Sequence, residues 1–88
     1  MIEYKSELEE RIFEYIRKST HTEISKVTLQ TKLFRDGIFD SMGFVLLIDF
    51  LEENFGIKTL DEDLIEENFE SVSAIMNFIQ KKQALTFT

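Results

Sequence analysis

The sequence contains no cysteine, no proline and no tryptophan, and only one histidine and three glycines. Without cysteine no disulfide can staple the chain, and no thiolate is at hand as nucleophile or metal ligand. A single histidine, His21, puts most metal sites and most acid–base machinery out of reach. Runs of ~18 apolar residues are also missing, so no segment reads as a membrane-spanning helix. The basic residues are scattered singly rather than clustered, which argues against nucleic acid as a partner. The opening Met1-Ile2-Glu3-Tyr4-Lys5 lacks the apolar stretch of a signal peptide, and the expectation is a cytoplasmic protein.

What is present is a hydrophobic fraction of 43%, including nine Phe, and a formal net charge of −7 on 88 residues. That apolar content is too high for a disordered chain. The length suits one domain, residues 1–88, around one small core. The acidic balance gives solubility, and it also suits fast, salt-sensitive encounters with basic patches on partner proteins.

Periodicity places a first helix over 3–18, with Tyr4, Leu8, Ile12, Tyr15 and Ile16 on one face and Glu7, Glu9, Glu10, Glu14 and Arg17 toward water. A long connection follows over 19–40. Its residues Ile24, Val27, Leu29, Leu33, Phe34 and Ile38 predict a loop laid on the bundle, with Gly37 in a tight turn. A second helix is predicted over 41–55, capped by Asp40 or Ser41 and closed by Gly56. A short third helix is predicted over 61–67, with Asp61 as its cap and a Leu60–Ile65 staple. The last helix is predicted over 72–82, capped by Ser71, with Val72, Ile75, Met76 and Ile79 in the core and a frayed tail over 83–88. The fold class is all-α, a small bundle of three longer helices and one short one.

The second helix carries more apolar surface than a bundle needs. Phe44, Leu47, Ile48, Leu51 and Phe55 follow the spacing of a core stripe. Met42, Val45 and Leu46 lie away from that stripe, interleaved with Asp49 and Glu53. A surplus apolar patch rimmed by carboxylates reads as a docking surface, unless the long loop covers it.

Ser41, just after Asp40 at the start of this helix, admits three readings. It is a simple N-cap, or a catalytic serine, or the attachment site of a prosthetic group. The catalytic reading needs a base; His21 is the sole histidine, no orienting acid is evident, and there is no Gly-x-Ser-x-Gly elbow.

Asp36-Gly37-Ile38-Phe39-Asp40-Ser41-Met42 resembles the attachment motif of acyl carrier proteins, in which Asp-Ser followed by Leu or Met opens the second helix. Leu51-Glu52-Glu53-Asn54-Phe55-Gly56-Ile57 resembles that family's end of the same helix, at the proper distance from the serine. Residues 71–79 resemble its last helix. The resemblance implies a carrier that is not itself an enzyme. Ser41 would receive 4'-phosphopantetheine from coenzyme A, and Asp40 would help the phosphopantetheinyl transferase recognise the site. Met42 would contact partners, and an acyl or aminoacyl thioester would ride on the arm. A chain without cysteine can do thioester chemistry only if its thiol arrives as a cofactor.

The sequence also departs from the common pattern. Fatty-acid carriers usually have acids two and five residues after the serine; here those positions are Gly43 and Leu46. The stretch Leu33 to Gly43 looks more like D-alanyl carrier proteins and other stand-alone carriers of specialised pathways. The partners so implied are an adenylating acyl or aminoacyl ligase and an acyl-accepting transferase or synthase, with the carrier itself a monomer. The rival reading is a carrier-like helical interaction module that is never modified.

Two remaining features point to no site. The acids Asp61, Glu62, Asp63, Glu66 and Glu67 lack the alternation and central glycine of a calcium loop and read as a solvated face. His21 reads as a loop residue near a helix C-terminus, where positive charge is favourable.

Overall fold

The computed structural model describes residues 7–20 and 27–86, and among them there are four α-helices and no strand. Helix α1 spans Glu7–Ser19, α2 Ser41–Phe55, α3 Glu66–Phe69 and α4 Val72–Thr86. The expected Tyr4, His21 and Ile24 lie outside the described residues. No helix among the described residues is long and apolar enough to cross a membrane.

α1 buries Glu9, Ile12, Phe13 and Ile16, one helical face at i, i+3, i+4 and i+7. Glu9 was expected to face water, but it is only 6% exposed. It falls on the line through Ile12, Phe13 and Ile16, whereas Leu8 and Tyr15 flank the core and are only partly buried. Glu7, Glu9 and Glu10 in the first turn and Arg17 and Lys18 in the last complement the helix dipole. Thr20 closes the helix: its backbone N–H and its hydroxyl both donate to the Ile16 carbonyl, at 3.1 and 2.8 Å.

The connection over 27–40 is pinned rather than free. The N–H of Leu33 donates to the Glu70 carbonyl at 2.8 Å, and the N–H of Ser73 to the Leu29 carbonyl at 3.0 Å, so the loop is stitched to the start of α4. The carbonyl of Leu33 in turn accepts from Ile38 and Phe39. Gly37 sits between them at φ +79°, a conformation costly for any residue with a Cβ. Val27, Leu33 and Phe39 are buried, and Leu29, Phe34 and Ile38 pack against them.

Beyond α2, Gly56 takes φ +64° as the C-terminal glycine, and Ile57 turns into the core. The expected helix over 61–67 is divided. A 3-10 turn spans Asp61–Asp63, the backbone breaks at Leu64 and Ile65, and α3 then makes a single turn. Asp61 does not cap it. The Asp63 carboxylate instead accepts the Leu60 N–H at 2.9 Å and pairs with Lys82 of α4, which pulls the chain out of helical register. No staple forms either, because Leu60 and Ile65 both face solvent.

Ser71 caps α4, its hydroxyl oxygen accepting from the Ala74 N–H at 3.1 Å. The helix continues to Thr86 instead of fraying at 83. Gln83 explains part of the extension, since its side-chain amide reaches the Phe55 carbonyl at 3.4 Å across the bundle.

The fully buried side chains are Ile12, Ile16, Leu33, Leu47, Leu51, Phe69, Val72, Ile75 and Ile79, drawn from every helix and from the loop. A run of edge-to-face rings, Phe34–Phe44–Phe69–Phe78, crosses from the loop through α2 to α4 with centroids 5.5, 5.3 and 4.9 Å apart. Tyr15 stacks on Phe50 at 4.1 Å and joins α1 to α2. This packing fixes the start of α2 between the loop and the α3 segment.

Candidate functional site

The local geometry begins with Asp40. Its backbone is extended (φ −107°, ψ −168°), its carbonyl accepts the first helical bond from Phe44 at 2.9 Å, and its carboxylate accepts the Gly43 N–H at 2.8 Å. Asp40 is therefore the N-cap, and of the two candidate caps the structure selects it. Ser41 becomes the first residue inside the helix. Its side chain is exposed, and the hydroxyl makes no hydrogen bond to a described residue.

Gly43 is part of the same construction. A Cβ at this position would sit 2.9 Å from the Phe39 ring and 3.3 Å from the Asp40 carboxylate. The Phe39 ring is itself buried, so it has little room to yield. Glycine thus lets the cap and the ring share the first turn. Sequence periodicity gave no signal for this role, because it treats Gly43 only as a gap in the apolar pattern.

A cleft of about 360 Å³ opens beside Ser41. Phe34, Phe39 and Phe44 line it, together with Leu64 from the break before α3 and Glu66 from the start of α3. The contribution of Leu64 and Glu66 was not legible in the sequence, since it depends on where the break at 64–65 places them. Asp40 and Ser41 both line it.

Down α2 from Ser41, Met42, Val45 and Leu46 are 66%, 56% and 51% exposed, and Asp49 and Glu53 are exposed among them. The described part of the loop, residues 27–40, leaves this patch uncovered. The opposite face carries the buried Leu47 and Leu51, with Phe44, Ile48 and Phe55 partly buried beside them. The structure thus brings Asp40, Ser41 and the apolar-acidic patch onto one continuous surface.

Two carboxylates hold the segment that borders the cleft. Glu52 accepts from the backbone N–H and the hydroxyl of Thr59 at 2.9 and 2.7 Å, and these bonds lower its pKa. Asp63 is held below the usual carboxylate range by its hydrogen bond to Lys82 and by the Leu60 N–H. Among the described residues no group of three or more His, Asp or Glu side chains is placed to hold a metal ion.

Chemically, the arrangement offers an accessible primary hydroxyl at a capped helix start, an acid next to it and an exposed apolar-acidic face below it.

No family model matches the chain. It is similar to an acyl carrier protein of Akkermansia muciniphila, with 34% identity over 76 residues that cover 86% of this chain and 92% of that one. An acyl carrier protein of Thermotoga maritima is 32% identical over 78 residues, covering 89% and 94% respectively. A D-alanyl carrier protein of Lactococcus lactis is 30% identical over 76 residues, covering 86% and 96%.

Proposed function

Because this chain belongs to the acyl carrier protein family, we propose that it carries an acyl or aminoacyl group as a thioester on a 4'-phosphopantetheine arm attached to Ser41. A carrier of this kind is not itself an enzyme. The observation that supports Ser41 most directly is its exposed hydroxyl at the first turn of α2, left idle by Asp40, which does the capping. The residues present fit the group. The hydroxyl is reachable, Asp40 is exposed beside it for a phosphopantetheinyl transferase to read, and the cleft opens next to it. When bound, the arm supplies the thiol that this cysteine-free chain lacks.

Met42, Val45, Leu46, Asp49 and Glu53 form the surface on which partner enzymes dock. Hydrophobic contact from the three apolar side chains supplies affinity, and the two carboxylates set orientation. The partners are a phosphopantetheinyl transferase, an adenylating acyl or aminoacyl ligase, and an acyl-accepting transferase or synthase of a specialised pathway. Gly43 and Leu46 stand where a fatty-acid carrier has acids, and the similarity to a D-alanyl carrier protein supports the same assignment.

The test is the intact mass after incubation with coenzyme A, magnesium and a broad-specificity phosphopantetheinyl transferase. A gain of one phosphopantetheine in the natural chain and none in Ser41→Ala is expected. No gain in the natural chain would leave the unmodified interaction module as the reading.

A further inference from the structure

An apolar tail on a flexible arm lowers its free energy by leaving water. Beside Ser41 the apolar entry is the cleft of about 360 Å³ lined by Phe34, Phe39, Phe44 and Leu64. Phe44 stands at its inner boundary. It lies one helical turn after Ser41, on the side of α2 that also carries the fully buried Leu47 and Leu51. Its ring belongs to the cleft and to the core at once, because it lines the one and packs on the fully buried Phe69 of the other.

That ring is held from two sides. Phe34 meets it at 5.5 Å with the planes 78° apart, and Phe69 at 5.3 Å and 70°. Phe69 in turn meets Phe78 at 4.9 Å and 62°. Rings at these separations and angles are in contact, and a packed interior leaves few voids larger than a water molecule. An alkyl chain could pass from the cleft into the bundle only by displacing one of them. The two rings that flank Phe44 are themselves anchored by one tie. Leu33, next to Phe34, donates its N–H to the carbonyl of Glu70, next to Phe69, at 2.8 Å.

We propose that Phe44 sets the length of the cargo: it closes the cleft toward the core, so the chain takes a short acyl or aminoacyl group at its surface and draws no long alkyl chain inside. The proposal rests on the carrier reading above and narrows the class of its cargo. Cutting the ring back should open what the natural chain closes, because the apolar cavity left by a large-to-small change accepts apolar ligands.

The natural chain is loaded from butyryl-, octanoyl- and dodecanoyl-coenzyme A by a phosphopantetheinyl transferase, and intact mass verifies each product before it is melted. A buried tail would raise Tm by several degrees for each added pair of methylenes. The natural chain should instead keep its Tm within about 2 °C across the three lengths. Phe44→Ala, with Phe44→Leu as the milder cut should the first fail to fold, should start lower and rise with every longer tail. A steady rise in the natural chain would overturn the proposal, and so would a folded Phe44 variant whose Tm ignores tail length. A second arm needs no modification of Ser41: free octanoyl-pantetheine is titrated into the natural and variant chains while the methyl signals of the buried Leu47, Leu51 and Ile75 are followed. Saturable shifts are expected in the variant alone. Shifts in the natural chain, or none in the variant, overturn the proposal. Failure to load, with the titration as expected, would remove the carrier reading and leave Phe44 as the barrier. Normal loading with a Tm that climbs in the natural chain would do the reverse.

Discussion

The Asp40 carboxylate holds the N–H of Gly43 at 2.8 Å, and Gly43 has no Cβ to strike either that carboxylate or the Phe39 ring behind it. The pair sets the first turn of α2 and leaves the intervening Ser41 free of structural duty. Two substitutions should therefore part company. Asp40→Ala removes the cap and should cost about 0.5–2 kcal/mol, while Asp40→Asn should cost much less. Ser41→Ala should stay within about 0.5 kcal/mol of the natural chain, as for a surface residue, yet abolish attachment. Urea melts and intact mass read the two effects separately. A large stability loss in Ser41→Ala would mean that the serine, not Asp40, is the cap.

Gly43→Ala tests the close approach. On helix propensity alone it should stabilise by about 1 kcal/mol. The Phe39 ring 2.9 Å from the new Cβ opposes this, and overpacking of this kind costs about 1–3 kcal/mol. A net loss is expected. Phe39→Leu, destabilising by itself, should recover part of the Gly43→Ala loss when the two are combined. Simple additivity in that double-mutant cycle would mean that the two positions do not touch.

The two faces of α2 should respond differently to truncation. Leu51 is fully buried, and Leu51→Ala should cost about 2–5 kcal/mol. Leu46 is half exposed, and Leu46→Ala should cost less than about 1 kcal/mol while raising the KM of the transferase or ligase. Equal losses of Tm would place Leu46 in the core.

Much of this could be read in the sequence, and the failures have physical causes. The two longer elements capped by Asp40 and Ser71 were legible because a cap, a 3.6-residue stripe and, for α2, a closing glycine agree. Leu64 and Glu66 at the cleft were not, because a tertiary contact, Lys82 on Asp63, overrides the local helical pattern at 61–67. The length of α4 was missed for the same kind of reason: Gln83 bonds to Phe55, 28 positions earlier. Glu9 is the opposite case: a carboxylate points to water by residue type, but its place on the wheel, in line with Ile12 and Ile16, puts it on the buried face.

The Asp63–Lys82 pair gives a pH signature. The folded-state pKa of Asp63 is depressed, so its contribution is present above the unfolded value of about 3.9 and is lost as pH falls through the folded value. Asp63→Asn should thus melt at a lower temperature than the natural chain, by an amount roughly constant above about pH 5. That gap should narrow as pH drops below about 4, where the natural carboxyl also becomes neutral. A gap that persists undiminished at low pH would assign the effect to backbone geometry at Leu60 rather than to charge.

The absence of acids two and five residues after Ser41 can be tested at one of the two positions only. Gly43→Asp would force a Cβ against Phe39, so any change in partner choice would be confounded by strain. Leu46 is exposed and tolerates a carboxylate, which makes Leu46→Glu the clean variant. A fatty-acid ketosynthase whose basic residue expects a carboxylate there loses one charge-assisted contact with the natural chain. That contact is worth on the order of 1–3 kcal/mol if desolvated and far less at a wet rim. The modified protein should therefore be a poor substrate for the ketosynthase, and Leu46→Glu should improve kcat/KM up to roughly tenfold, since 1.4 kcal/mol is a factor of ten. The same change should impair an adenylating ligase that docks on the Met42, Val45 and Leu46 patch, because it places a charge in an apolar contact. Offering both carriers to both enzymes in competition gives the answer. Efficient use of the natural chain by the ketosynthase, with no gain from Leu46→Glu, would place this carrier in ordinary fatty-acid synthesis.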